Sequence, residues 1–427
     1  MKTSITRRYP LRPHLCAVAS AVSLCMLAPA VLAAETLAEA LTGGKVSGQL
    51  RYRFEMVDQV GVPRDATAST LRTQLGYATG DYFGFNSFLQ FEDVRVVGNE
   101  RYNSSVNGLT QYPLVVDPES TEINQAYLGY KGLPGTALKF GRQVITYDNH
   151  RFVGDVGWRQ NQQTFDALSV VNTSLPGSAF SYAHVTNVNR IFSERHATQG
   201  DVEMKGDFLN LSYKWSPGTL VGYAYLIDFD PNQFFAVTAS NKTLGARFDG
   251  ATKIGGPSLL YTAEYAQQSD YKDGASTIDA DYMLGMLGVD VVGVQIKLNY
   301  EKLSGDGIYA LQTPLATLHA HNGWADKFLT TPADGIIDVF LSVGTKLGPV
   351  NLLGVYHDYS SDNLGYAFGS ELNLLASWKA HKLLTLLVKY ADYQGDANAT
   401  NVARDLALNR ALSRDVSKIW LQADVQF

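Results

Sequence analysis

Three arginines crowd one short segment of this chain. Arg142, Arg151 and Arg159 are interleaved with Asp148, Asp155 and Asp166. A guanidinium holds a carboxylate through two parallel hydrogen bonds and stays charged at any physiological pH. A ring of such forks at a pore mouth draws anions inward. The same arginines, paired to the three aspartates, would only stiffen a loop. A second set of charges is spread along the chain at alternate positions. Its basic members are Arg51, Arg53, Arg72, Lys214, Arg247, Lys297, Lys346, Lys389 and Lys418. Its acidic members are Glu55, Glu92, Asp249, Glu264, Asp281, Glu301, Asp338, Glu371 and Asp424. A lining of mixed sign, able to pair across neighbours, fixes no ion preference by itself.

Other chemistry finds little support. His319, His321 and Asp326 lack the tight spacing of a helix-borne metal site, so no metal is expected. His357 and Ser360 could serve a rim phospholipase, but nothing singles them out. No glycine-rich phosphate loop follows a strand and opens a helix, and no cofactor is expected.

The elements that must position these charges follow one rhythm. Val46, Gly48, Leu50, Tyr52, Phe54 and Met56 share one parity, while Gln49, Arg51, Arg53 and Glu55 share the other. Successive strand side chains point to opposite faces, so each such segment has one greasy and one wet face. About eighteen segments of this kind can be counted. They span 46–57, 68–79, 82–93, 122–131, 136–147, 165–172, 178–190, 206–215, 218–229, 241–253, 257–268, 278–289, 293–303, 335–347, 349–360, 366–378, 382–393 and 415–427. Tyr52, Tyr77, Tyr213, Trp215, Tyr300, Trp378 and Tyr390 fall on the greasy parity, many near segment ends, as in an interfacial aromatic girdle.

The connections alternate in length. Short ones include Gly80-Asp81, Gly132-Leu133-Pro134-Gly135, Ser174-Leu175-Pro176-Gly177, Ser216-Pro217, Gly255-Gly256-Pro257 and Gly348-Pro349. Long ones cover 94–121, 148–164, 191–205, 304–334 and 394–414. A soluble all-β sandwich has no reason to collect its long loops at one end. A transmembrane antiparallel β-barrel has short periplasmic turns and long extracellular loops. The last segment alternates Ile419, Leu421, Ala423, Val425 and Phe427 with polar residues, as a strand closing onto the first would. Closure is required, because an open edge in lipid leaves backbone groups unsatisfied.

Composition agrees. With 45% hydrophobic and 18% charged residues among 427, the chain is not disordered. Only Leu15 to Ala34 approaches the length of an apolar membrane helix, so a helical bundle is excluded. That stretch follows Lys2, Arg7, Arg8 and Arg12 and ends in small residues, the layout of a signal peptide over residues 1–34 rather than a retained anchor. Leu24 before Cys25 is too bulky for lipoprotein processing. Both cysteines, Cys16 and Cys25, lie inside the leader, so the exported part, 35–427, has no disulfide to lean on. Four of the 35 basic residues and none of the 41 acidic ones lie in the leader, so the remainder is net negative and a poor nucleic-acid binder. With alternation starting at Val46, there is no room for the large N-terminal plug of an energy-coupled receptor.

Residues 141–168, GRQVITYDNHRFVGDVGWRQNQQTFDAL, resemble the signature region of the bacterial alginate-export family of outer-membrane barrels. The matching positions are Gly141, Arg142, Gln143, Tyr147, Asp148, Arg151, Phe152, Gly154, Trp158, Arg159, Gln160, Phe165 and Asp166. Residues 313–335, with a histidine and Gly323-x-x-Asp326, are similar to that family's long loop. The resemblance implies a channel; the family's defining member exports a polyanionic sugar polymer through an arginine-rich conduit.

The expected protein is a barrel of about eighteen strands in a Gram-negative outer membrane, passing hydrophilic, anionic solutes or polysaccharide. The rival is an outer-membrane enzyme or adhesin acting through its loops. Candidate pore or substrate contacts are Arg51, Arg53, Arg72, Arg142, Asp148, Arg151, Trp158 and Arg159. Arg142 shares parity with Leu138 and Phe140, so a bulge must intervene or Arg142 lies above the lipid band. Loops 94–121, 148–164 and 304–334 are the candidates to fold inward. Expected partners are outer-membrane lipids, the solute, and the periplasmic barrel-assembly machinery.

Overall fold

Alternating segments joined by tight turns can satisfy their backbones only by pairing with the next segment along the chain. A computed structural model describing residues 34–230, 235–401 and 411–427 shows this arrangement. The strands are β1 (Lys45–Gln59), β2 (Ala66–Ala78), β3 (Phe85–Val96), β4 (Ser120–Tyr130), β5 (Thr136–Gln143), β6 (Thr164–Asn172), β7 (Ser178–Asn189), β8 (Asp201–Trp215) and β9 (Gly218–Phe229). They continue as β10 (Asn241–Lys253), β11 (Ser258–Asp270), β12 (Asp279–Val291), β13 (Val294–Leu303), β14 (Ile336–Leu347), β15 (Val350–Ser360), β16 (Ala367–Lys379), β17 (Leu384–Gly395) and β18 (Val416–Gln426). Each pairs antiparallel with its sequence neighbours, and β18 pairs with β1, giving a closed 18-stranded sheet. Among the described residues no helix is long and apolar enough to cross a membrane.

The closing seam shows how the sequence specifies its partner. Leu50 faces Val425 and Phe54 faces Leu421 across it. Gly48 and Phe427 exchange backbone hydrogen bonds of 2.9 and 3.0 Å. The Phe427 ring lies over Gly48, where a Cβ would stand 2.3 Å from it. Glycine on the greasy parity of β1 is the space that the terminal ring fills.

Outside, the wall is apolar: Leu50, Phe140, Leu211, Leu287, Leu298, Leu341 and Val388 are exposed. Asp281, expected on the wet side, instead faces outward with Tyr265, whose hydroxyl donates to it at 2.6 Å. The cause is phase: Tyr282, its neighbour, takes the inward position and is fully buried. At the short-turn end lies one element that alternation did not announce, α1 (Leu37–Thr42). Thr36 and Glu39 form a capping box at its start. Its Ala40 carbonyl accepts from Gly80 N at 2.8 Å, which ties it to the β2–β3 turn. The leader, apart from Ala34, lies outside the described residues.

The long connections leave the opposite end, and three of them turn into the lumen. Two run side by side. Gly154 N donates to the Leu315 carbonyl at 2.9 Å and Thr317 N to the His150 carbonyl at 3.0 Å. Val153, Leu311, Leu315 and Phe328 are buried against lumenal aromatics such as Tyr223, Tyr225 and Tyr282. The loop-side half of the barrel is therefore packed like a soluble core.

Two adjacent residues of β14 separate the lipid and lumen faces. Leu341→Arg is expected to cost about 2–4 kcal/mol of barrel stability in lipid. Ser342→Arg, one position along and facing the lumen, is expected to be near neutral. Denaturant titration of the refolded barrel, followed by the gel-mobility difference between boiled and unboiled samples, checks both. Equal costs, or no heat-dependent mobility in the parent protein, would contradict this wall.

Candidate functional site

The site is a charge cluster where loops 97–119, 144–163 and 304–335 meet the wall formed by β1, β2, β16, β17 and β18. Alternation sends Arg51, Arg53 and Glu55 of β1 inward, and the antiparallel register sets Arg51 opposite Arg72 of β2. These three wall guanidiniums each donate to the backbone of the inserted loop. Arg51 Nη1 reaches the Gly157 carbonyl at 2.8 Å, Arg53 Nη2 the Trp158 carbonyl at 2.5 Å, and Arg72 Nη1 the Gln160 carbonyl at 3.4 Å. Their remaining charge faces wall acids: Arg51 pairs with Asp424 at 2.9 Å and Arg72 lies 3.8 Å from Glu92.

Arg159 is the counterpart on the loop. Its guanidinium is 3.0 Å from Glu55, 3.2 Å from Asp326 and 3.9 Å from Asp117. One residue of the wall and one from each of two other loops thus converge on it. Burial alone would lower its pKa, but Glu55, Asp117 and Asp326 outweigh that and raise it. Asp326 also accepts from Lys418 of β18 at 2.7 Å and from His319 Nδ1 at 2.7 Å. Removing one partner from such a group strands buried charge, at a cost of roughly 3–5 kcal/mol.

Trp158 is the apolar center of the cluster. Its ring stacks on His319 with centroids 4.7 Å apart. Arg53 and Lys389 stand 4.0 and 4.1 Å from it. Lys389 of β17 also lies 3.8 Å from the Trp324 ring and donates to His319 Nε2 at 2.6 Å. Burial holds His319 neutral, well below the ordinary imidazole range, although Asp326 pulls the other way. Trp324 N and Ala325 N donate to Glu371 of β16, which pins the tip of the longest loop.

Seven of the eight sequence-selected residues gather inside the barrel, five of them (Arg51, Arg53, Arg72, Trp158 and Arg159) in this cluster. Arg151 sits against a different part of the wall, 3.3 Å from Glu301 of β13 and 2.9 Å from Asn322. Asp148 lies against β8 and accepts from Asn210 at 2.8 Å. Arg142 is the exception. It lies on the outer side of the wall with Thr121, Glu122, Ile123, Ala126 and Glu194, paired to Asp166 at 2.9 Å. Gly141, with φ +122°, lies among the last residues of β5 and does not turn Arg142 inward; Gln143 is the buried residue instead. Asp166 therefore holds Arg142, but among the described residues neither Asp148 nor Asp155 pairs with an arginine. Asp155 accepts from Gln162 at 2.8 Å. The acids that do the holding are Glu55 and Glu301, present among the alternating wall charges, Asp326, marked as the acid of the Gly323-x-x-Asp326 stretch, and Asp117, which no pattern marked. No group of three metal-ligating side chains occurs among the described residues.

Comparison with known proteins agrees with this fold. The chain is similar in fold to Pseudomonas aeruginosa OpdK, solved with vanillate, with a TM-score of 0.67, 12% identity, and coverage of 91% of this chain and 99% of that one. Pseudomonas aeruginosa OccK9 (OpdG) gives 0.68 at 13% identity, covering 91% and 100%. Acinetobacter baumannii OccAB4 gives 0.66 at 14% identity, covering 90% and 98%. None of the curated proteins searched matches the chain. A family model described as alginate export matches residues 44–324, about two thirds of the chain and the whole region from β1 to the tip of the longest loop. The chain belongs to the alginate-export family, as an outer-membrane barrel of the porin type.

Proposed function

We propose that this barrel passes hydrophilic, anionic solutes or an acidic polysaccharide passively, and that its inserted loops set the open state. One observation carries the reading: Arg51, Arg53 and Arg72 each direct a guanidinium arm at a neutral carbonyl of the loop. A charged acceptor makes a hydrogen bond roughly twice as strong as a neutral one. A substrate carboxylate therefore displaces those carbonyls, takes the wall arginines, and loosens the loop in one step. No nucleophile, general base or metal takes part. Vanillate, which names the OpdK structure, is a carboxylate and fits this chemistry. Export through a leader over residues 1–34 and insertion by the periplasmic assembly machinery complete the proposal.

Planar-bilayer recording of the refolded protein tests it. Channel openings with a reversal potential of anion sign are expected in a salt gradient. Arg53→Ala is expected to move that potential toward zero. Arg159→Ala is expected to raise the open probability, because the loop loses its contacts to Glu55, Asp117 and Asp326. Silence of the wild type rejects a channel; unchanged selectivity in Arg53→Ala rejects the arginine role.

Acid is expected to open the channel. The docked loop keeps His319 neutral, whereas an undocked imidazole titrates near its ordinary value of about 6.5. Below that pH the undocked state binds the extra proton, so docking weakens as pH falls. Asp326, held well below the usual carboxylate range despite its burial, loses its contribution only in stronger acid. Burial pushes Asp117 upward, which works the other way. His319→Gln isolates the imidazole. Open probability should rise as pH falls toward the mid-fives in the wild type, and this rise should be lost in the variant.

A further inference from the structure

The outer face of the wall is not evenly convex. From β15 through β18 to β1 the register lines up two rows of side chains. One runs Val350, Trp378, Leu386, Ala423, Tyr52, and the other Leu352, Ala376, Val388, Leu421, Phe54. All have the outward phase, because Glu371, Lys389, Trp420 and Arg53 carry the inward one and are buried. An alanine interrupts each row. Between Trp378, Val388, Leu421 and Tyr52 this leaves an apolar groove of about 440 Å³, with Ala376 and Ala423 at its floor. Tyr52 helps to keep it open: its hydroxyl lies 3.0 Å from Ser69 Oγ on β2, which holds the ring on the side away from β18.

The groove starts at the edge of the membrane. Val350 opens β15 after a short turn, and Trp378 is the last residue but one of β16. Short turns face the periplasm, so this edge is the inner leaflet. From there the groove runs into the hydrocarbon past Ala376, Val388 and Leu421. Its foot is basic. No acid occurs between Asp338 and Asp358 or between Glu371 and Asp392, whereas the second stretch holds Lys379, His381, Lys382 and Lys389. Lys379 and Lys389 have the lumenal phase, which leaves His381 and Lys382, both exposed in the β16–β17 turn. His381 Nδ1 accepts from Leu383 N at 3.3 Å, so the ring proton sits on Nε2 and can be donated. Two anions share this corner. Asp424 points inward to Arg51, and the Phe427 carboxylate is brought alongside by the 2.9 Å bond from Gln426 N to the Leu383 carbonyl. The turns carrying Asp290 and Asp81 lie two hairpins away in either direction around the rim. At about 4.8 Å per strand that is roughly 19 Å, about twice the screening length at physiological salt.

We propose that this groove and turn bind one anionic phospholipid of the inner leaflet. One acyl chain lies along the floor over Ala423 and Ala376, and the phosphate meets Lys382 and His381. The rival occupant is a second barrel. Its wall is convex and would rest on the ridges of Trp378 and Tyr52, leaving the floor without contacts, and an unfilled floor forfeits its dispersion attraction. A flexible chain follows the floor along its length. Trp378 sits at the boundary, where an indole keeps its ring in hydrocarbon and its N–H in the polar layer. The charge at the foot selects the lipid: a basic side chain at the surface favours an anionic head group over a neutral one by about fivefold. The site is independent of what the lumen passes.

The barrel refolded in a neutral maltoside detergent gives the test. It is mixed with phosphatidylglycerol or phosphatidylethanolamine of matched chains, and retained lipid is counted by native mass spectrometry. The wild type is expected to hold one phosphatidylglycerol about fivefold more tightly than phosphatidylethanolamine. His381→Gln with Lys382→Gln should make the two lipids equal. Ala376→Phe with Ala423→Phe fills the floor and should abolish retention of both. Ala224→Phe, outward on β9 across the barrel, should change nothing. Heat-dependent gel mobility confirms that each variant is folded. Equal retention of the two lipids by the wild type, or retention that survives filling of the floor, overturns the site. So does a wild-type dimer that the floor-filling pair converts to monomer, because a second copy would then be the occupant.

Discussion

Everything in this molecule follows from the poverty of lipid as a hydrogen-bonding solvent. Each unpaired amide or carbonyl in hydrocarbon costs several kcal/mol, so the wall must close, and the last strand must find the first. The β1–β18 seam meets that demand with backbone and shape together. Eleven residue pairs align from Gln49 and Gln426 to Gln59 and Val416, and the Phe427 ring covers the gap left by Gly48. A closed wall of eighteen strands is too wide for side chains to fill. The second demand follows from the first: something else must occupy the loop half of the lumen, or water must.

Here loops occupy it, and they bring charge of the right sign to the right wall. Burying ions is unfavourable unless each finds a partner. The solution is composite. Arg159 is satisfied by Glu55 from β1, Asp117 from one loop and Asp326 from another. Asp326 is satisfied in turn by Lys418 and His319. No single segment would be stable in place without the other two. The same interdependence means that an arrangement needing three loops at once is weakened as a whole when one of its connections is lost. A sandwich of hydrophobic side chains would hold more firmly and would release less readily.

The wall was legible in the sequence, and the plug was mostly not. Strand alternation is a local property with a period of two, so the parity of Arg51, Arg53 and Glu55, or of Leu421 and Gln422, can be read from a few neighbours. The parity of Asp281 is not legible because Tyr282, Leu284 and Met286 make the inward face of β12 as apolar as the outward face of Met283, Leu287 and Val289. Arg142 is ambiguous because its charge and its strand phase disagree: phase puts it outward with Phe140, and that is where it lies. The partners of Arg159 were out of reach. Asp155 is four residues away and the natural guess, while Glu55 and Asp326 are more than a hundred residues distant in opposite directions. Nothing local encodes such a meeting; it exists only once the sheet has closed and three loops have entered it.

The axial division of charge is the last consequence of that history. Loops reach only part of the way down the barrel, so only the upper cations acquire loop partners. The lower wall keeps what its own strands supply: Arg247 is answered there by Asp249 of its own strand and by Glu264 of the next, with no loop taking part.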